Sequence, residues 1–108
     1  MIDWDRLIGL RDDIGEDDFA DVAFLFVAEI DETLAALQNE PDTVTAAHFH
    51  FLRGSAANLG FVALAEACST AEAACNASET PDVVGVAAIF QASLAEVSPR
   101  MPELAQAA

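Results

Sequence analysis

Apolar residues recur along most of the chain at three- and four-residue intervals, the spacing that lines one side of an α-helix. The clearest stretch is residues 16–39, where Phe19, Val22, Ala23, Phe26, Ile30, Thr33, Leu34 and Leu37 form one stripe. Glu16, Asp17, Asp18 and Asp21 crowd its first turns, where the helix dipole favours negative charge. A shorter helix is expected ahead of it over residues 3–11, with Asp3 as N-cap and Trp4, Leu7, Ile8 and Leu10 as its apolar side. Asp12-Asp13-Ile14-Gly15 then breaks the pattern. Asn39-Glu40-Pro41 ends the long helix, and Asp42 is placed to cap a third helix over residues 43–59. Gly60 is a natural stop, and a fourth helix covers residues 62–77. Thr80 and Pro81 suit the N-cap and first helical position of a fifth. Its apolar side is Val83, Val86, Ala87, Phe90, Leu94 and Val97. Pro99 ends or kinks it, and residues 103–108 are expected to fray. Helices joined by short connections predict an all-α fold. The expected architecture is an up-down antiparallel four-helix bundle with a short extra N-terminal helix, one domain over residues 1–108.

Composition agrees with helices. Alanine fills 23 of the 108 positions, tyrosine is absent and there are only five glycines. Alanine favours helix and lets helices approach closely. Cys68 and Cys75 lie seven residues apart in one helical pattern. Their Cα atoms would then be about 10 Å apart, too far for a disulfide, so reduced packing residues are expected. Phe24 lies outside the stripe of its helix, roughly opposite Phe26. Two roles are open to it: packing beneath the first helix, or joining an apolar docking patch.

Charge narrows the partners. Four arginines, no lysines and 19 acids give a net charge of −15. Such a surface repels nucleic-acid phosphates and anionic lipid headgroups. The longest uncharged run, Val83 to Ala95, falls well short of the roughly 20 residues that span a bilayer. The opening Met1-Ile2-Asp3-Trp4-Asp5 has neither the basic nor the apolar part of a leader, so a cytoplasmic location is expected.

The acids are unevenly spread: 13 of the 19 fall within residues 1–42, and none lies between Thr43 and Ala65. That acid-free stretch holds both histidines and Arg53, a neutral-to-positive island in an acidic chain. On a helical wheel Leu52 and Leu59 mark the core side, flanked by Val44 and Ala56, and His50 points the opposite way. Its neighbours on the outer face are Ala46, Ala47, Arg53, Gly54 and Ala57, all small except Arg53. A glycine inside a helix costs roughly 1 kcal/mol relative to alanine. Gly54, one turn after His50, removes the side chain nearest the ring, which suits close approach by another molecule. Arg53, on the same side, can neutralise an anion held at His50, as a phosphorylated histidine would require. His48 falls on the core side, where a neighbouring polar group would satisfy it. Two residues apart on a helix, His48 and His50 point opposite ways and make a poor metal pair, so no metal site is expected.

The string His50-Phe51-Leu52-Arg53-Gly54-Ser55-Ala56-Ala57-Asn58-Leu59-Gly60 resembles the phosphoacceptor helix of histidine-containing phosphotransfer (HPt) domains, whose pattern is roughly H-x-L-K-G-S-[SA]-x-x-[LV]-G. Leu64, Cys68 and Glu72 look like the family's L-x-x-x-C-x-x-x-E segment. Leu10 to Gly15 and Phe24-Leu25-Phe26 look like its opening, so the resemblance covers about residues 7–77. It implies that His50 accepts and donates a phosphoryl group, at Nε2, in exchange with aspartyl phosphates on response-regulator receiver domains. A hybrid histidine kinase is a further partner class. The family's usual lysine is Arg53 here; charge is kept but geometry is not interchangeable. Glu72 follows Gly60 by nearly as many positions as His50 precedes it, so an antiparallel hairpin sets the two at similar heights. In similar domains a Glu or Gln here lies near the active histidine. Glu72 would accept from Nδ1–H and leave Nε2 nucleophilic.

No Walker loop or kinase glycine-rich segment is present, so the expectation is a phosphorylated carrier without its own ATP site or cofactor. Mg²⁺ would belong to the partner receiver. A receiver's site is acidic, and an acid-free face avoids repelling it. Docking contacts are expected at Ala46, Ala47, Phe51, Arg53, Gly54 and Ala57, with Phe24 and Leu25 beside them. The alternative is an HPt-like helical adaptor that docks on a kinase or receiver without phosphotransfer. A monomer is expected, since the stripes can be buried within one bundle.

Overall fold

The computed structural model describes residues 1–106. Among these residues six α-helices follow in order: α1 Trp4–Ile14, α2 Glu16–Asn39, α3 Ala46–Asn58, α4 Val62–Asn76, α5 Val83–Val97 and α6 Pro102–Gln106. Among the described residues there is no strand. Helices α2 to α5 form the expected bundle. α3 packs on α4, α4 on α5, α5 on α2 and α2 on α3. α1 lies on α2, and α6 bridges α2 and α5. No helix among the described residues is long and apolar enough to cross a membrane.

The stripe of α2 faces the core, with five of its eight members buried and Val22, Phe26 and Thr33 half-buried at its edges. Phe19, Ala23, Ile30, Leu34 and Leu37 meet Leu52, Leu59, Leu64, Phe90 and Leu94 in one apolar core. The periodicity passed over Val27 and Phe49, which are also fully buried. Cys68 and Cys75 both lie on α4 and both are free thiols. Burial pushes the Cys68 thiol up to about 11, so it stays protonated at neutral pH.

Helix ends depart from expectation in instructive ways. α1 runs on through Asp12 and Asp13 and stops only at Gly15, whose φ of 96° turns the chain into α2. Asp3 does cap α1, accepting from the Arg6 N–H. Asp42 does not cap α3: residues Pro41–Thr43 form a 3-10 turn, and the cap is Thr45. Thr80 does not cap α5: Asp82 does, accepting from the Gly85 N–H, because Pro81 lies before the helix and not in its first turn. Residues 103–106 do not fray as expected: they form most of α6. Met101 and Leu104 are buried and draw α6 onto the core. Residues 107 and 108 of the expected frayed end lie outside the described residues.

α3 and α4 close with the same motif. After α3, the Gly60 N–H donates to the Ala57 carbonyl and the Phe61 N–H to the Ala56 carbonyl, with Gly60 at φ 72°. After α4, the Ser78 N–H donates to Cys75 and the Glu79 N–H to Ala74, with Ser78 at φ 60°. A side chain in this left-handed region costs roughly 1 kcal/mol that glycine avoids. Ser78→Gly is therefore expected to stabilise the chain by about 1 kcal/mol, read as a rise in the urea midpoint at unchanged slope. A fall in the midpoint would contradict the turn geometry.

Candidate functional site

α3 turns one face to the core and the other to solvent. Phe49, Leu52, Ser55, Ala56 and Leu59 are buried. His50 points outward, its side chain 66% exposed. Ala47, Phe51, Gly54 and Ala57 are exposed around it on the same helix, and Ala46 and Arg53 are half-buried. A Cβ built on Gly54 would meet nothing within 4 Å. No neighbour inside the molecule requires a glycine there.

The α3–α4 hairpin brings Glu72 to the ring. Glu72 Oε2 lies 3.3 Å from His50 Nδ1, and its side chain is 22% exposed. Arg53, one turn along α3, sets Nη2 3.0 Å from the same Nδ1 and 3.8 Å from Glu72 Oε1. A carboxylate and a guanidinium thus meet at one ring nitrogen. Nε2 has no hydrogen-bond partner among the described residues, and the side chain as a whole is largely exposed. Sequence arithmetic anticipates the closeness of Glu72 to His50, but not that Arg53 touches the ring itself.

His48 is half-buried and engaged locally: the Thr45 N–H donates to its Nδ1 at 3.1 Å. It plays the part that Glu or Gln plays three residues after a Thr cap. The spacing Thr45-x-x-His48 carries that signal, masked by the usual preference for an acid or amide. His48 and His50 share no site.

Phe24 and Leu25 stand apart. They are 54% and 65% exposed, so Phe24 does not pack beneath α1. Leu25 lies between buried Ala23 and Val27 in sequence and faces away from the core. Phe24 lies in the first half of α2, well before its end, and His50 lies early in α3. The geometry groups Ala46, Ala47, Phe51, Gly54 and Ala57 with His50, and sets Phe24 and Leu25 along another helix.

No curated protein and no solved structure matches the chain. A family model does: the Hpt domain model matches residues 21–107, from the second turn of α2 onward, and takes in His50, Arg53 and Glu72. With a match over most of its length on a bundle that presents an exposed histidine, the chain belongs to the Hpt domain family.

Proposed function

We propose that this chain is a phosphorelay carrier of two-component signalling whose phosphoryl group rides on His50 Nε2. The observation that supports this most is the ring's setting: Nδ1 is engaged by Glu72 and Arg53, Nε2 has no partner among the described residues, and the side chain is largely exposed. In the acceptor step the Nε2 lone pair attacks phosphorus of an aspartyl phosphate on a receiver domain. The N–P bond forms, the P–O bond breaks, and the aspartate leaves as carboxylate with the electron pair. The ring, protonated at Nδ1, becomes positively charged, and the Glu72 carboxylate faces that charge. Arg53 lies within reach of the phosphoryl oxygens. The donor step is the reverse, onto another receiver's aspartate. Each receiver brings its own Mg²⁺; the carrier supplies the nucleophile and a docking face, as a cytoplasmic monomer without an ATP site.

The docking face is the acid-free surface of α3 around Ala46, Ala47, Phe51, Gly54 and Ala57. A small domain is about 30 Å across, wide enough to cover this face and also reach Phe24 and Leu25 on α2. Gly54→Ala separates docking from chemistry. The added methyl enters open space and helix propensity improves, so stability should rise by up to about 1 kcal/mol. Transfer from a phosphorylated receiver should slow by about tenfold or more, because a displaced partner loses its alignment. Labelling by phosphoramidate, which needs no docking, should hardly change. Unchanged transfer from the receiver would remove Gly54 from the contact.

The direct test is to incubate the protein with phosphoramidate and Mg²⁺, and separately with a panel of phosphorylated receivers, following intact mass and ³¹P NMR. One acid-labile, base-stable phosphate per chain, on His50, is expected. A phosphate on another residue, or no uptake from either source, would overturn the proposal.

A further inference from the structure

We infer that Arg53 and Glu72 compete for the single hydrogen-bonding position of His50 Nδ1, with Arg53 holding the ring in the tautomer that cannot attack phosphorus. The functional consequence rests on the carrier role proposed above; the competition itself does not. A neutral imidazole nitrogen carries either a proton or an in-plane lone pair. Guanidinium can only donate, and an ionised carboxylate can only accept. Glu72 is therefore served when Nδ1 bears the proton and Nε2 bears the lone pair. Arg53 is served when Nδ1 bears the lone pair, which leaves the proton on Nε2 and removes the nucleophile.

The distances favour Arg53. Nη2 to Nδ1 is 3.0 Å, within the ordinary range for an N–H donor. Nδ1 to Glu72 Oε2 is 3.3 Å, longer than a charge-assisted bond prefers. The same Nη2 also lies 3.8 Å from the other Glu72 oxygen, so the guanidinium offsets the charge that would draw a proton to Nδ1. Switching tautomers leaves the net charge unchanged: Nε2 gives its proton to water and Nδ1 takes one from water.

An incoming phosphoryl group reverses the balance. Its oxygens are a stronger partner for a guanidinium than a neutral ring nitrogen. Arg53 moves to them, Nδ1 is released to carry a proton toward Glu72, and Nε2 acquires its lone pair as the donor arrives. Arg53 is a positioning residue in the resting protein and a charge partner in the complex. The resting ring is thereby protected from stray electrophiles.

Ring tautomers are read directly from long-range ¹H–¹⁵N spectra of protein carrying ¹⁵N-histidine. His48→Gln assigns the two rings, and the pH is raised until the ring shifts stop moving. The wild-type His50 ring should be mainly the Nε2–H form. Arg53→Met, which has no donor, should raise the Nδ1–H to Nε2–H ratio several-fold, and Glu72→Met should lower it. Diethyl pyrocarbonate, an uncharged electrophile that reacts at an unprotonated ring nitrogen and needs no anion site, should modify His50 several-fold faster in Arg53→Met than in wild type, where Arg53 covers the unprotonated Nδ1. A mainly Nδ1–H ring in wild type, or a ratio and a modification rate unchanged by Arg53→Met, would overturn the inference. Failure of the carrier role would appear instead as absent phosphorylation with the tautomer ratios intact.

Discussion

Gly60→Ala is expected to lower stability by about 2–3 kcal/mol, a large part of the roughly 5–15 kcal/mol that holds a domain folded. Two effects act together. Gly60 sits at φ 72°, where a Cβ costs roughly 1–2 kcal/mol. That Cβ would also lie 2.6 Å from the Asp3 carbonyl oxygen, a backbone atom that cannot rotate aside. Asp3 is anchored at this point: its N–H donates to the Gly60 carbonyl at 2.8 Å, and its own carbonyl accepts from the Leu7 N–H. Relieving the overlap pulls the start of α1 away from the α3–α4 turn and weakens a backbone hydrogen bond, worth about 1 kcal/mol. The Arg6 bond to Asn58, 3.2 Å long, would loosen with it. Urea unfolding followed by circular dichroism measures the loss. A loss under about 1 kcal/mol would mean that α1 is not fastened to this turn as described. Placed beside Gly54→Ala, the pair should show two glycines of one motif acting oppositely on stability: a Cβ at Gly60 meets backbone, and one at Gly54 meets open space.

His50→Gln is expected to reduce phosphate uptake to background, from phosphoramidate and from receivers alike. Glutamine is close in size and keeps a polar end for Glu72 and Arg53, but its amide nitrogen has no lone pair free to attack phosphorus. The ring is largely exposed, so stability should stay within about 0.5 kcal/mol of wild type. Receiver binding, measured by calorimetry, should persist, because the surrounding α3 surface is untouched. His48→Gln is the control. Glutamine can accept from the Thr45 N–H as His48 does, so both the cap and phosphate uptake should survive. Phosphate retained in His50→Gln would place the acceptor elsewhere. Retained signalling output with phosphate lost would instead favour the adaptor role.

Spacing and composition were sufficient for α1 to α5, for the outward aspect of His50 and for Glu72 at its height. These follow from local rules, since the turn and rise per residue are nearly constant wherever a helix forms. The exact N-termini of α3 and α5 were less legible. Asp42 and Thr80 are good capping residues, yet Thr45 and Asp82 take the role, because nearby prolines and the path between helices select among adequate caps. The end of the chain departs from expectation for a related reason: Met101 and Leu104 are too few to show periodicity, and only the groove between α2 and α5 makes them core. Contacts between segments distant in sequence lay beyond any local pattern. The hold of Asp3 on Gly60, and the meeting of Arg53, Glu72 and His50 at one nitrogen, depend on how α1, α3 and α4 lie against one another. Packing between helices sets that arrangement, because the three side chains come from positions that no single helix brings together.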